Sequence, residues 1–124
     1  MTPPKSKYKP EYHSRKKYDL DAFRSYLRLS PEEFRMIAEV YARKLNQARG
    51  PVKFIIPTRG WSGIDCEGTV LYDPEEDRIF VEELKKHLRG DIEVREIDAN
   101  LEDVAFAEAI LKAFKEVMSI AKAS

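Results

Sequence analysis

The chain has one cysteine among its 124 residues, two histidines and five glycines, and its 22 basic side chains are matched by 22 acidic ones. A single Cys66 excludes an internal disulfide and leaves no framework for a cysteine-based metal site. Zero net charge removes the overall field with which a basic domain gathers nucleic acid or an anionic membrane. No apolar run approaches the roughly 18 residues that a membrane-spanning helix needs. The N-terminus is basic but has no apolar core segment, so it does not read as a secretory signal, and the cytoplasm is the default expectation. What the chain does have is charge in quantity. Asp, Glu, Lys and Arg make up 35% of it and apolar residues 43%, a surface-rich composition that suits one compact domain of this length.

Two regions differ in composition. Residues 1–22 read as a basic, Pro- and Lys-rich arm, and residues 23–124 as a single α/β domain. Tyr8, Tyr12 and Tyr18 lie among the basic residues of the arm. Such interleaving can serve single-stranded nucleic acid, but the plainer reading is a solvated tail or tyrosines packed on a neighbouring subunit. Nucleic-acid binding is therefore not expected of this chain.

The domain announces its elements in order. Ser30-Pro31-Glu32-Glu33 is a capping box, and Phe34, Ile37, Ala38, Tyr41, Leu45 and Ala48 follow at helical spacing until Gly50 and Pro51. Val52 to Pro57 is short and β-branched, as a buried strand should be. Asp73-Pro74-Glu75-Glu76 opens a second helix with Phe80, Leu84 and Leu88 as its stripe and Gly90 as its stop. Ile92 to Asp98 reads as a second strand near a sheet edge. Asp103 is the expected cap of a third helix, whose apolar side runs through Phe106, Ala107, Ile110, Leu111, Phe114, Val117 and Met118. The class is α/β, a three-layer αβα arrangement in the order αβαβα around one βαβ unit, with its strands parallel. Two strands are too few to cover three amphipathic helices. Residues 23–29 are expected to add a third strand, and oligomerisation to extend the sheet further, so a homodimer or a complex with a separate chain is expected.

Ligands of an open parallel sheet gather beyond the carboxyl ends of its strands. Two segments converge there: the Gly-rich loop from Thr58 to Gly68 and the turn Asp98-Ala99-Asn100. The candidate ligand-binding residues are Thr58, Arg59, Gly60, Trp61, Ser62, Asp65, Asp98 and Asn100. Arg59 offers a fork for phosphate or carboxylate, the glycines let backbone amides come close, and Thr58 and Ser62 offer hydroxyls. The alternative is an irregular loop in which Arg59 pairs with Asp65 and Trp61 packs as a lid. Glycines at 60, 63 and 68 fit neither a Walker A loop nor the dinucleotide fingerprint. Asp65, Asp73 and Asp98 could gather around Mg²⁺, but Asp73 is already explained as a cap, so no metal site is expected. Cys66 has no histidine close in sequence and reads as an incidental thiol. His87 suits the last turn of its helix, and no catalytic residue can be named.

Leu45 to Val52, Ile56-Pro57-Thr58-Arg59-Gly60-Trp61-Ser62 with Asp65, Tyr72-Asp73-Pro74 and Val94 to Asn100 together resemble a known family. It is the carboxyl-terminal domain of the Tm-one-like proteins, the family related to the tomato mosaic virus resistance protein and labelled ATP-binding. The resemblance runs from about Arg28 to Met118, and its most specific element is Pro-x-Arg-Gly-x-Ser-x-x-Asp. It implies an α/β domain that follows a nucleotide-binding domain in a longer chain, with no defined reaction. ATP and Mg²⁺ would then reach this domain only through a partner domain, one encoded separately if this chain is a stand-alone version. Asn100 stands where members of that family often carry His, which argues against proton transfer there. The expectation is a domain that binds an anionic or nucleotide-type small molecule in a composite site, completed by a partner domain or second subunit. The rival is a non-catalytic structural or oligomerisation module.

Overall fold

The computed structural model describes residues 8–123. Its framework is α1 (Pro31–Asn46), β3 (Lys53–Pro57), α2 (Pro74–His87), β4 (Glu93–Ile97) and α3 (Val104–Ala123), preceded by a ribbon of β1 (Lys17–Asp19) and β2 (Ser25–Leu27). The βαβ unit is present, with β3 and β4 parallel and Phe54 beside Val94, Ile55 beside Arg95 and Pro57 beside Ile97. The class is α/β, as the alternation of elements requires.

Two of the three expected N-caps form, those of α1 and α2. Ser30 accepts from the Glu33 amide while Glu33 accepts from the Ser30 amide, and Asp73 accepts from the Glu76 amide. Each cap satisfies donors that the first helical turn would leave without partners. At the other end, Asn46 donates to the His87 carbonyl, and Arg89 donates to the carbonyls of Asn46 and Ala48. The C-terminal ends of α1 and α2 are thereby tied together.

The parallel register decides which side chains share a face, because residues alternate along each strand. Ile56, with Phe54 and Val94 packed alongside, meets Phe34, Ala38 and Ala42 of α1 and Phe80, Val81 and Leu84 of α2. Leu84 is fully enclosed, so truncating it to alanine would cost about 2–5 kcal/mol through lost contact and a residual cavity. Lys53 and Arg95 point to the opposite face, where both pair with Glu116 of α3.

The ribbon departs from expectation. Residues 25–27 form a strand, but they pair antiparallel with β1 rather than joining the parallel sheet. The reason is local. Asp21 accepts from the amides of Phe23 and Arg24, and the Leu20 amide donates to the Arg24 carbonyl, closing a tight turn. A short closure of this kind costs less entropy than a distant strand pairing. The arm is also not simply extended. Tyr8 is buried and hydrogen-bonds Ser25, its ring meets Tyr12 edge-on, and Tyr18 lies against Tyr26. Lys5 and Lys7, part of the basic arm in the sequence, lie outside the described residues.

The third helix differs as well. Phe106 and Ala113 are buried, whereas Ile110, Leu111, Phe114 and Met118, all assigned to the covered face from sequence, are exposed. An α3 with apolar residues over more than one face cannot hide all of them against two strands. Its expected cap also turns the other way: the Asp103 carboxylate accepts from the Asn100 amide, and it is the Asp103 carbonyl that receives the first helical amides.

Candidate functional site

The end of the sheet is built by continuing the β3–β4 ladder past the strands. The Thr58 amide donates to the Ile97 carbonyl at 2.9 Å, the Arg59 amide to Ala99 at 3.0 Å, and the Leu101 amide to Gly60 at 3.1 Å. The loop after β3 and the turn after β4 are therefore zipped together. Asn100 is the fastener. Its buried amide nitrogen donates to the carbonyls of Arg59, Ser62 and Asp65 at 3.1–3.2 Å, while its oxygen accepts from the Glu102 amide. The two N–H bonds of one side chain, one of them shared, thus serve three loop carbonyls.

Gly60 has φ +108°, and a Cβ there would lie 1.8 Å from the Asp65 carbonyl oxygen. Only glycine fits both the dihedral and the close approach. Trp61 is anchored rather than free: its ring meets Phe34 and Phe80 edge-on, and its indole nitrogen donates to the Pro57 carbonyl at 3.2 Å. Ser62 is half-buried and accepts from the Ile64 amide.

Arg59 pairs with Asp98, not with Asp65. Its Nε lies 2.5 Å from Oδ1 and an Nη 3.1 Å from Oδ2 of Asp98, with the two side chains 59% and 76% exposed. Their mutual hydrogen bond holds the Arg59 pKa above and the Asp98 pKa below the ordinary values. Thr58 is exposed beside them, its hydroxyl donating to the Ile97 carbonyl. The eight candidate residues therefore divide. Gly60, Trp61, Asp65 and Asn100 shape the loop, whereas Thr58, Arg59 and Asp98 stand on its open rim and Ser62 lies between.

Asp65 leads to a group that the sequence reading missed. Its carboxylate accepts from the Trp61 amide and lies 3.4 Å from Arg28, whose side chain is 7% exposed. Arg28 also pairs with Asp77, with Glu76 at 3.0 Å, and donates to the carbonyls of Leu71 at 2.6 Å and Asp73 at 3.2 Å. Burial works against the charge on Arg28, but Asp77, Glu76 and Asp65 outweigh it and raise its pKa. Burial pushes the Asp77 carboxyl up to about 6, Arg28 opposing the rise and Asp65 adding to it. One signal for this hub was in the sequence. Asp77 stands on the same helical stripe as Val81 and Leu84, and an acid on a buried stripe calls for a partner. Nothing comparable marked Arg28.

The three aspartates considered for Mg²⁺ do not converge on one point. Asp73 caps α2 and pairs with Lys16, Asp65 serves Arg28, and Asp98 serves Arg59. Elsewhere, Glu39, Glu83 and His87 cluster within 4.8 Å of one another, with Glu39 and His87 exposed and Glu83 half-buried, a set explained by the pairing of His87 with Glu83 one turn earlier. Cys66 is half-buried, its sulfur directed at the Gly63 carbonyl.

Three concavities border these elements. The largest, about 710 Å³, lies at the other end of the strands, between the 47–53 connection and Arg89, and Arg89 is spent there on backbone carbonyls. Two adjoining grooves lie nearer the loop. One, about 450 Å³, is apolar and lined by Leu29, Phe34, Tyr41, Phe54, Ile55 and Trp61 along β3. The other, about 490 Å³, runs past Arg28, Ser62, Gly63 and Asp65. The loop end carries the exposed Arg59–Asp98 pair and the strand termini, so it is the candidate site.

A family model described as the uncharacterised protein family UPF0261 C-terminal domain matches residues 1–118. The chain belongs to the UPF0261 family. It is 38% identical over 86 residues to a UPF0261 protein of Brucella suis, covering 69% of this chain and 21% of that protein. A UPF0261 protein of Clostridium tetani is 34% identical over 109 residues, 87% of this chain and 27% of that protein. The ToMV resistance protein Tm-1(GCR237) of Solanum lycopersicum is 30% identical over 116 residues, 92% of this chain and 15% of that protein. The chain thus spans about a quarter or less of these UPF0261 relatives, and the likeness to the Tm-1 protein agrees with the resemblance read from the residues. Among the described residues, no helix is long and apolar enough to cross a membrane.

Proposed function

We propose that this UPF0261 domain binds an anionic, phosphate-bearing small molecule at the Arg59 rim, in a site that a partner domain or second subunit completes. The observation that carries the reading is the exposed Arg59–Asp98 pair at the carboxyl ends of two parallel strands, held on a loop that Asn100 and Gly60 make rigid. A guanidinium in such a pair is charged, oriented and in contact with water, so an incoming phosphate can take the place of Asp98 and be gripped by two parallel hydrogen bonds. Exchange is cheap because exposed ion pairs contribute little to stability. Thr58 adds a hydroxyl beside the fork.

The composite character is supported by the two-stranded sheet, by the apolar groove along β3 next to Trp61, and by relatives several times longer than this chain. The remaining wall would come from such additional chain or from a second subunit. ATP and Mg²⁺ belong to this reading only as ligands brought by that partner. A cytoplasmic setting suits it.

A thermal-shift titration with inorganic phosphate, pyrophosphate and ATP tests the proposal. The wild-type chain should be stabilised in proportion to ligand, and Arg59→Ala should lose the response while keeping its unliganded melting temperature. The rival reading, a non-catalytic interaction module, is favoured by the exposed apolar side of α3. A wild-type chain indifferent to all three compounds, alone and with a full-length UPF0261 relative present, would decide for the rival.

A further inference from the structure

We infer that the outer face of α3 is the contact surface for a second copy of this chain, joined antiparallel about a two-fold axis. The inference is independent of any ligand at Arg59.

Val104, Leu111, Phe114 and Met118 are 74%, 53%, 57% and 43% exposed. They are not scattered. Val104, Leu111 and Met118 recur every seven residues, and Ala107, Phe114 and Ala121 form the companion series offset by three. That is the spacing of a helix seam rather than of a solvated face. The sheet side of α3 is a different stripe, carried by the buried Phe106 and Ala113 and by Glu116, which pairs with Lys53 and Arg95. The seam is therefore a separate, exposed stripe of α3 that the described residues leave to water.

The identity of that molecule follows from the order of sizes along the seam. Lay a second α3 antiparallel on the first, with the two-fold axis passing between Lys112 and Ala113. Leu111 then meets the partner's Phe114, Met118 meets the partner's Ala107, and Val104 meets the partner's Ala121. Each large side chain at the flanks faces an alanine, which lets the helices approach closely. The same register brings Glu108 beside the partner's Lys115, twice by symmetry. Neither Glu108 nor Lys115 has an ion pair of its own among the described residues. On the other flank Ile110 comes beside the partner's Val117. A self-complementary surface of this kind is what a two-fold dimer requires and what an unrelated partner has no reason to match. The seam from Val104 to Ala121 is about 27 Å long at 1.5 Å per residue.

Sedimentation equilibrium of the full chain tests this without any ligand. A concentration-dependent species of 28.8 kDa, twice 14.4 kDa, is expected. Phe114→Glu should return it to the monomer with unchanged far-UV circular dichroism, because that side chain is exposed in the single chain. Glu108→Lys should weaken association by roughly three- to tenfold, on the scale of two surface ion pairs, and Glu108→Lys combined with Lys115→Glu should restore it. A parallel pairing would not give that rescue, since it does not bring these two positions together. A monomer at every concentration, a dimer indifferent to Phe114→Glu, or a charge exchange without rescue would each overturn the inference.

Discussion

Arg28 and Arg59 carry the same guanidinium into opposite surroundings. Arg28 sits where β2, the long loop and the start of α2 meet, its donors spent on Leu71, Asp73, Glu76 and Asp77 and its charge also facing Asp65. Arg59 stands in water on a single carboxylate. The first has four of its five donors in hydrogen bonds and too much surrounding negative charge to release. The second can change partners at little cost. A buried arginine in this domain is thus a structural cross-link, and the exposed one is available for recognition. Stability and binding should therefore respond to different substitutions.

The largest effect is expected at the hub. Arg28→Ala removes the cation that, among the described residues, pairs with three buried or half-buried carboxylates, and leaving such charges without a partner costs about 3–5 kcal/mol. Urea denaturation should show this as a fall in midpoint with little change in slope. A loss as small as that of a surface substitution would mean that the hub is no cross-link and would erase the contrast.

The next effect is a pH dependence. The Asp77 carboxyl has a pKa of about 6 in the folded chain, against an ordinary value of 3.8, so the folded state holds this proton more tightly than the unfolded state. Its contribution is complete below about pH 4 and is lost as pH rises through 6, a change of up to about 3 kcal/mol for a shift of roughly two units. Asp77→Asn has no such proton to lose. The stability of wild type relative to this variant should therefore decline between pH 4 and 7, and a flat difference would place the proton elsewhere. Asp73, whose pKa is lowered chiefly by its hydrogen bond from Lys16, works in the opposite sense and loses stabilisation as pH falls below 4.

The smallest effect sharpens the comparison at Arg59. Asp98→Asn removes the carboxylate that an anion must displace. Phosphate affinity, measured by isothermal titration calorimetry, should rise by a few fold, the scale of one exposed ion pair, while the melting temperature barely moves. A decrease would show that Asp98 orients the fork rather than competing for it.

The elements were legible because their signals are local. Ser30 with Glu33 and Asp73 with Glu76 mark helix starts within four residues, and the β-branched run before Pro57 marks a strand by itself. The candidate site was partly legible for the same reason: three glycines after a strand and an arginine at its end mark a loop beyond the carboxyl end of that strand. The division of labour inside it was not. Asn100 and Asp98 stand two residues apart, yet one is buried against three carbonyls and the other stands exposed on Arg59 alone. The 23–29 segment was misplaced because strand propensity does not name a strand's partner, and Asp21 offered a nearer one than β3.

Residue order alone determined the caps of α1 and α2, the parallel βαβ unit and the position of the Gly-rich loop, since each follows from chemistry within a few residues or from the topology of a short crossover. Only the tertiary structure decided that Arg28 is buried among Asp65, Glu76 and Asp77, that Arg59 chooses Asp98, and which side of α3 is left to water. Those outcomes depend on contacts between segments 21 to 63 residues apart in the chain. They are settled by how much apolar surface two strands and two helices can cover, and that is a property of the packed chain as a whole.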